Sequence, residues 1–293
     1  MACGTNGAKK DSGAKKIGIE IPVPPAMMDT EEERAEFLAE NYWRNFDFTD
    51  TAYVNKPEIT EQVFVDYISI LRYVPVPSAQ KSVAKTMSAA RADSSMYAYF
   101  AEISEKYLYD PNSPMRWEDL YIPVLENIIE WDGADDIAKL RPRAQLRMAL
   151  KNRVGEQAAD FAMNLSSGKK IRLHDIKSPY VLLFFNNPDC TGCAELTAAL
   201  RESEIVQALE NDGMLKVAAV YPDEDLTAWR NHLDLMPPHW TNAYDGAQTL
   251  RHQELYDLRA IPTLYLLDSE KRILIKDAAD LMPIEAYFYN IYY

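Results

Sequence analysis

The chain has 293 residues, 47% of them hydrophobic, which is enough for two ordinary domains with cores of their own. Its 45 acidic side chains outnumber 31 basic ones, and the net charge of −14 argues against a nucleic-acid surface, where phosphates must be met with Lys and Arg. No apolar stretch approaches the length of a membrane span, and three cysteines (Cys3, Cys190, Cys193) leave one natural intramolecular disulfide, between the two that are close together.

Residues 1–28 read as a flexible tether and linker. They begin with Ala2-Cys3-Gly4 and a Lys-, Ser- and Gly-rich stretch to Lys16, followed by an extended segment carrying Pro22, Pro24 and Pro25. Ala-Cys-Gly before a small, polar tether resembles the junction of a bacterial lipoprotein. That resemblance implies lipidation at Cys3 and a signal peptide already removed. An incidental cysteine in an ordinary disordered start is the alternative.

Residues 29–152 read as an α-helical domain. Thr30 and Glu33 have capping-box spacing, and Phe37, Leu38, Tyr42 and Phe46 form the stripe of a first helix. A second helix follows Pro57, with Ile59, Val63, Tyr67 and Ile70 along one face. Pro75 and Pro77 end it, and Ser78 is a candidate cap for one long helical stretch to about Tyr107. Trp117, Leu120, Tyr121, Val124, Leu125 and Ile128 recur at helical steps around Pro123, which must kink the helix or start a new turn. A last stretch runs from about Ala134 to Asn152. There is no Cys, no His and no Gly-rich phosphate loop between Thr30 and Arg153, so the aromatic residues here read as core and groove lining.

Residues 153–293 read as an α/β domain with a central mixed sheet flanked by helices. Val154 to Leu173 forms an entry hairpin at the sheet edge. Tyr180 to Phe185 is a continuous apolar run, the pattern of a buried central strand. It hands over to Asn186, Asn187, Pro188, Asp189 and then Cys190-Thr191-Gly192-Cys193, after which Ala194 to Glu210 reads as one helix. Two cysteines three apart at a strand-to-helix junction are a redox arrangement, because unpaired N–H groups and the positive dipole end favour a thiolate on the first. Leu215 to Tyr221 is the next parallel strand. The connection from Tyr221 to Ile261 carries two helical pieces, Glu224 to Leu233 and Ala247 to Leu258. Thr263 to Asp268 and Arg272 to Lys276 pair antiparallel, and a closing helix from Pro283 carries Ile284, Tyr287, Phe288 and Ile291.

Three of these features, in order, resemble the TlpA/ResA branch of thioredoxin-like proteins: the entry hairpin with Gly155 and Gly168, the C-x-x-C, and Ile261-Pro262-Thr263 entering a strand. The resemblance implies a thiol–disulfide oxidoreductase, reductase- or isomerase-leaning, that needs no cofactor. It implies Cys190 as nucleophile, Cys193 as resolving thiol, and a cis Pro262 that shapes the substrate site with Ile261, Thr191 and Gly192. A trans proline at a strand start is the ordinary alternative. The partners implied are protein disulfides and a dithiol electron donor. The place implied is the periplasm or cell envelope, with a membrane tether through Cys3. A helical module before such a domain is similar to that of a family of Gram-negative lipoproteins, with partner docking, dimerisation or substrate presentation as its open roles.

The sequence departs from that pattern in two places. Asp189 stands where relatives carry Trp before the first cysteine, and a carboxylate there opposes thiolate formation. Phe184 stands where thioredoxin has its buried Asp, leaving Glu224, Glu195 or water as candidate proton relays. Zinc binding would need two further ligands, and His174, His232, His239 and His252 are scattered singly. Leu183 and Asn187 replace the Pro and Thr that a peroxiredoxin motif needs. The competing function is a non-catalytic lipoprotein on the same scaffold, with a structural disulfide and a helical domain that binds a partner.

Overall fold

The computed structural model describes residues 18–292, so Cys3 and most of the expected tether lie outside the described residues. Its contacts divide the chain into two units, Met1–Asp135 and Asp136–Tyr293.

The first unit is helical. Helix α1 (Glu31–Asn41) opens on a capping box, in which Thr30 Oγ1 accepts from the Glu33 N–H at 3.1 Å and Glu33 Oε2 accepts from the Thr30 N–H at 3.3 Å. Helix α2 (Gln62–Leu71) continues a π turn at Pro57–Glu61, and buries Phe64, Tyr67, Ile68 and Leu71. Ile59, Val63 and Ile70, expected on the core face, are only half-buried. Both neighbouring stripes of this helix are apolar, so periodicity alone does not choose between them. The long helix expected from Ser78 to Tyr107 is two helices. Helix α3 (Val76–Ala90) starts behind Pro75, while α4 (Ser94–Ser104) starts behind Asp93, whose carboxylate accepts from the Ser95 and Met96 N–H groups at 2.9 and 3.0 Å. Helix α5 (Glu118–Glu130) runs through Pro123 without ending.

The core of this unit is aromatic. Trp43 lies edge-on to Phe46, Tyr67 and Phe100 with ring centroids 5.2–5.5 Å apart. Tyr67 is fully buried, meets the Ser82 hydroxyl at 2.6 Å, and has its phenol pushed up to about 12 by desolvation. Buried Asn127 binds Arg91, Tyr97 and Ser88 at 3.0 Å each, and so joins α3, α4 and α5.

The second unit opens with α6 (Leu140–Ala149), tied to it by Lys276, whose Nζ donates to the carbonyls of Ala149 and Lys151 at 3.2 and 2.8 Å. Strands β1 (Ala162–Leu165) and β2 (Lys170–Arg172) make the edge hairpin, and β3 (Tyr180–Phe185) is the buried strand. Where one helix was expected from Ala194 to Glu210 there are two, α7 (Thr191–Glu202) and α8 (Glu204–Asn211). The break is Ser203, whose hydroxyl caps α8 by accepting from the Val206 N–H at 3.3 Å. Strand β4 (Leu215–Tyr221) and helix α9 (Leu226–His232) follow.

The connection then contains a strand that the sequence pattern does not signal, β5 (Thr241–Tyr244), and a helix far shorter than expected, α10 (Thr249–His252). Strands β6 (Thr263–Leu267) and β7 (Ile273–Ala278) and helix α11 (Met282–Tyr292) complete the unit.

The sheet order is β2-β1-β5-β4-β3-β6-β7, with β3, β4 and β5 parallel and the remaining pairs antiparallel. Alternation along β3 sends Leu182 and Phe184 into a core with α7, α8 and α11, and Val181, Leu183 and Phe185 into a core on the other face with Phe161 and Tyr256. The carboxyl end of β3, between β4 and β6, delivers the chain to the cysteines.

Candidate redox site

Asn187 organises the turn between β3 and α7. Its carbonyl accepts from the Cys190 N–H at 3.2 Å, and its Oδ1 accepts from the Asp189 N–H at 3.1 Å. Its Nδ2 donates to Asp223 Oδ2 at 2.6 Å, and its backbone N–H donates to Cys193 Sγ at 3.4 Å. Asp223, just beyond β4, is also ion-paired with Arg251 of α10.

Cys190 is the N-cap of α7, and its Sγ accepts from the Cys193 N–H at 3.1 Å. The first turn of that helix therefore points its free N–H groups and positive dipole end at the Cys190 sulfur, an environment that favours a thiolate. Cys190 and Cys193 are joined as a disulfide with Cα atoms 5.2 Å apart. Their exposures differ: Cys190 is half-buried, whereas Cys193 is 2% exposed among Phe184, Leu196 and Trp240.

The Ile261–Pro262 peptide is cis. Its loop stands against the cysteines, with the Ile261 carbonyl oxygen 3.4 Å from Cys190 Sγ. A Cβ at position 192 would lie 3.3 Å from Pro262 Cδ, so Gly192 is what lets the helix start and the proline loop approach each other. Cys190, Cys193, Gly192, Ile261 and Pro262 thus come together, and Thr191 is exposed on the first turn beside them. Cys3 falls outside the described residues.

The surroundings are acidic. Burial raises the Tyr221 phenol, as does the charge of Asp223; a backbone hydrogen bond at Asp225 lowers it, and the charges of Asp225 and Asp189 raise it a little more. His232 at the end of α9 is held below the usual imidazole range by burial, which the charge of Asp189 partly opposes. A cavity of about 950 Å³ runs beside α7, lined by Ala194, Ala198, His232, Met236, Pro237 and Trp240. Glu195 and Glu224, the carboxylates considered from sequence, are both exposed. The carboxylate tied to the cysteine turn is Asp223, and nothing in its spacing from Asn187 signals that.

A family model described as a domain of unknown function (DUF5106) matches residues 2–152, and one described as thioredoxin-like matches residues 178–273. Among solved structures, the chain is similar to a thioredoxin-like protein from Bacteroides caccae: 45% identity, 94% of this chain and 99% of that chain covered, TM-score 0.90. It is similar to the C-terminal domain of an uncharacterized protein from Bacteroides fragilis at 44% identity, over 46% of this chain and 96% of that one, TM-score 0.46. It is also similar to the thioredoxin domain of a thiol-disulfide oxidoreductase from Bacteroides vulgatus at 22% identity, over 46% and 97%, TM-score 0.41. No curated protein matches it. The mixed sheet with its flanking helices and the full-length likeness to the Bacteroides caccae structure agree: the chain belongs to the thioredoxin-like family and carries a helical DUF5106 domain in front.

Proposed function

We propose that the chain is a thiol–disulfide oxidoreductase of the TlpA/ResA type acting on protein disulfides outside the cytoplasm. The observation that carries the reading is the asymmetry of the cysteine pair: Cys190 half-buried at the N-cap of α7 and beside the Ile261–Pro262 loop, Cys193 buried one turn on. Cys190 as thiolate attacks a substrate disulfide, forming a mixed disulfide and releasing one substrate thiolate. Cys193 then attacks Cys190 Sγ, closing the Cys190–Cys193 bond and releasing the second substrate thiolate. The substrate disulfide gains two electrons, its two thiolates take up protons, and a dithiol partner restores the pair by the same exchange in reverse.

Several residues around the pair support the substrate side of this reading. Ile261, Thr191 and Gly192 border Cys190 on the approach an extended polypeptide would take along the Pro262 loop. The middle residues Thr191 and Gly192 offer no imidazole to stabilise the thiolate further, which favours a reductase or isomerase over a strong oxidant. In this reading residues 1–28 are the tether, 29–152 the helical domain and 153–293 the redox domain, anchored to the envelope through a lipid on Cys3. Labelled fatty acid incorporated by the wild type in a Gram-negative host, and lost in Cys3→Ser, is the expected sign of that anchor.

Trapping tests the chemistry. Cys193→Ser is expected to accumulate mixed disulfides on Cys190 with client proteins, which reductant releases and Cys190→Ser abolishes. No adduct from Cys193→Ser, and no exchange of the wild type with a small aromatic disulfide above the rate of a model thiol, would sink the proposal.

A further inference from the structure

Resolution needs Cys193 as an anion, because the thiolate and not the thiol is the nucleophile. The site works against that: Cys193 is 2% exposed and packed on Phe184, Leu196 and Trp240, and desolvation disfavours the charged form. Position 184 of β3 carries Phe and so offers no carboxylate there. What does reach Cys193 Sγ is the Asn187 backbone N–H at 3.4 Å, and hydrogen bonding to a charged form favours it. The Asn187 side chain is itself held. Its Nδ2 is bound at 2.6 Å by Asp223, which Arg251 of α10 holds in turn.

We propose that Asp223 is a positioning residue for the resolving step: paired with Arg251, it fixes Asn187 so that the Asn187 backbone N–H supports the charge on Cys193 Sγ. The role rests on the dithiol reading above. In that step Cys193 Sγ bonds to Cys190 Sγ as the Cys190–substrate S–S bond breaks. The electron pair leaves on the substrate sulfur, which takes a proton from solvent. Asp223 touches none of the reacting atoms, and its effect runs through Asn187. A bare through-space charge would act in the opposite sense, since removing a carboxylate near a thiol makes the thiol easier to ionise.

The test uses the full chain with Cys3→Ser and Cys190→Ser, so that Cys193 is the one thiol, and follows its ionisation with pH by ultraviolet thiolate absorbance. Asp223→Ala is expected to raise the Cys193 midpoint by about one pH unit, a tenfold loss in ionisation. Asp223→Asn keeps an acceptor for the Asn187 amide and is expected to restore the parent midpoint. Asn187→Ala, which keeps the backbone N–H but frees it, is expected to match Asp223→Ala, and it carries the test if that variant does not fold. A midpoint unchanged or lowered in a folded Asp223→Ala or Asn187→Ala chain overturns the proposal. The readout needs no turnover. A wild type that exchanges while these midpoints stay fixed therefore fails the positioning role alone, and a wild type that does not exchange fails the oxidoreductase reading.

Discussion

Gly192 is held to its identity by Pro262. A methyl group there would sit 3.3 Å from Pro262 Cδ, close enough to push the proline loop by a few tenths of an ångström. A branched side chain requires more. Gly192→Val is therefore expected to cut exchange with a protein disulfide by about tenfold, through misplacement of the loop against Cys190. Reaction with a small disulfide, which needs no groove, should fall far less. Equal losses with both substrates would mean that the helix start itself is damaged. Phe184 makes the complementary point. It is fully buried in the same apolar cluster as Cys193 and edge-on to Trp240, and Phe184→Ala is expected to cost about 3–5 kcal/mol in denaturant unfolding. The same site is legible in sequence only in part. The cysteine pair, Gly192 and Pro262 stand in local motifs, whereas Asn187, Asp223 and Arg251 are separated by 36 and 28 residues and meet only through the parallel pairing of β3 and β4 and the turn at α10.

At the scale of elements, single polar side chains decide where helices stop. Ser203 separates α7 from α8, capping the second and donating to Glu285 of α11 at 2.6 Å. Ser203→Ala is expected to lower stability by about 1 kcal/mol in chemical denaturation, and no change would mean that α8 is held by packing alone. Apolar periodicity runs straight through Ser203, as it does through Asp93 between α3 and α4, so the pattern gave one helix where capping makes two. Strand β5 escaped for the opposite reason. Thr241, Asn242, Ala243 and Tyr244 carry too little apolar content to read as a strand, and their conformation comes from pairing with β4 on one side and β1 on the other.

Helix α9 contributes a pH dependence through His232. Burial depresses its folded-state pKa below the unfolded value of about 6.5, so the fold prefers the neutral ring. Its contribution to stability is complete above that pH and is lost as the pH falls below it. The wild type should accordingly lose more Tm between pH 7.5 and 5.5 than His232→Asn, and parallel losses would place the dependence elsewhere.

For the whole molecule, the two halves were readable to different depths. Tyr180 to Phe185 and Leu215 to Tyr221 are continuous apolar runs of the kind buried on both faces of a sheet, and both are strands with the residue limits the runs suggest. The helical half gave its class but not its faces, because α2 is apolar on two adjoining stripes, and Pro123, expected to kink the helix or start a new turn, lies inside α5. The thioredoxin-like half holds the cysteine pair on which the proposed chemistry rests, while the helical half holds no such constellation in its sequence. If the pair proves inert, the helical domain becomes the place to seek function, as a partner-binding lipoprotein would require. The measurement that separates these outcomes is the equilibrium reduction potential of Cys190–Cys193 in glutathione or dithiothreitol buffers. A two-electron transition in the range of reductants is expected, near thioredoxin's value of about −270 mV. A value near −120 mV, that of a strong oxidant on the same scale, would contradict the reductase direction, and a pair that fails to equilibrate with the buffer would contradict the oxidoreductase itself.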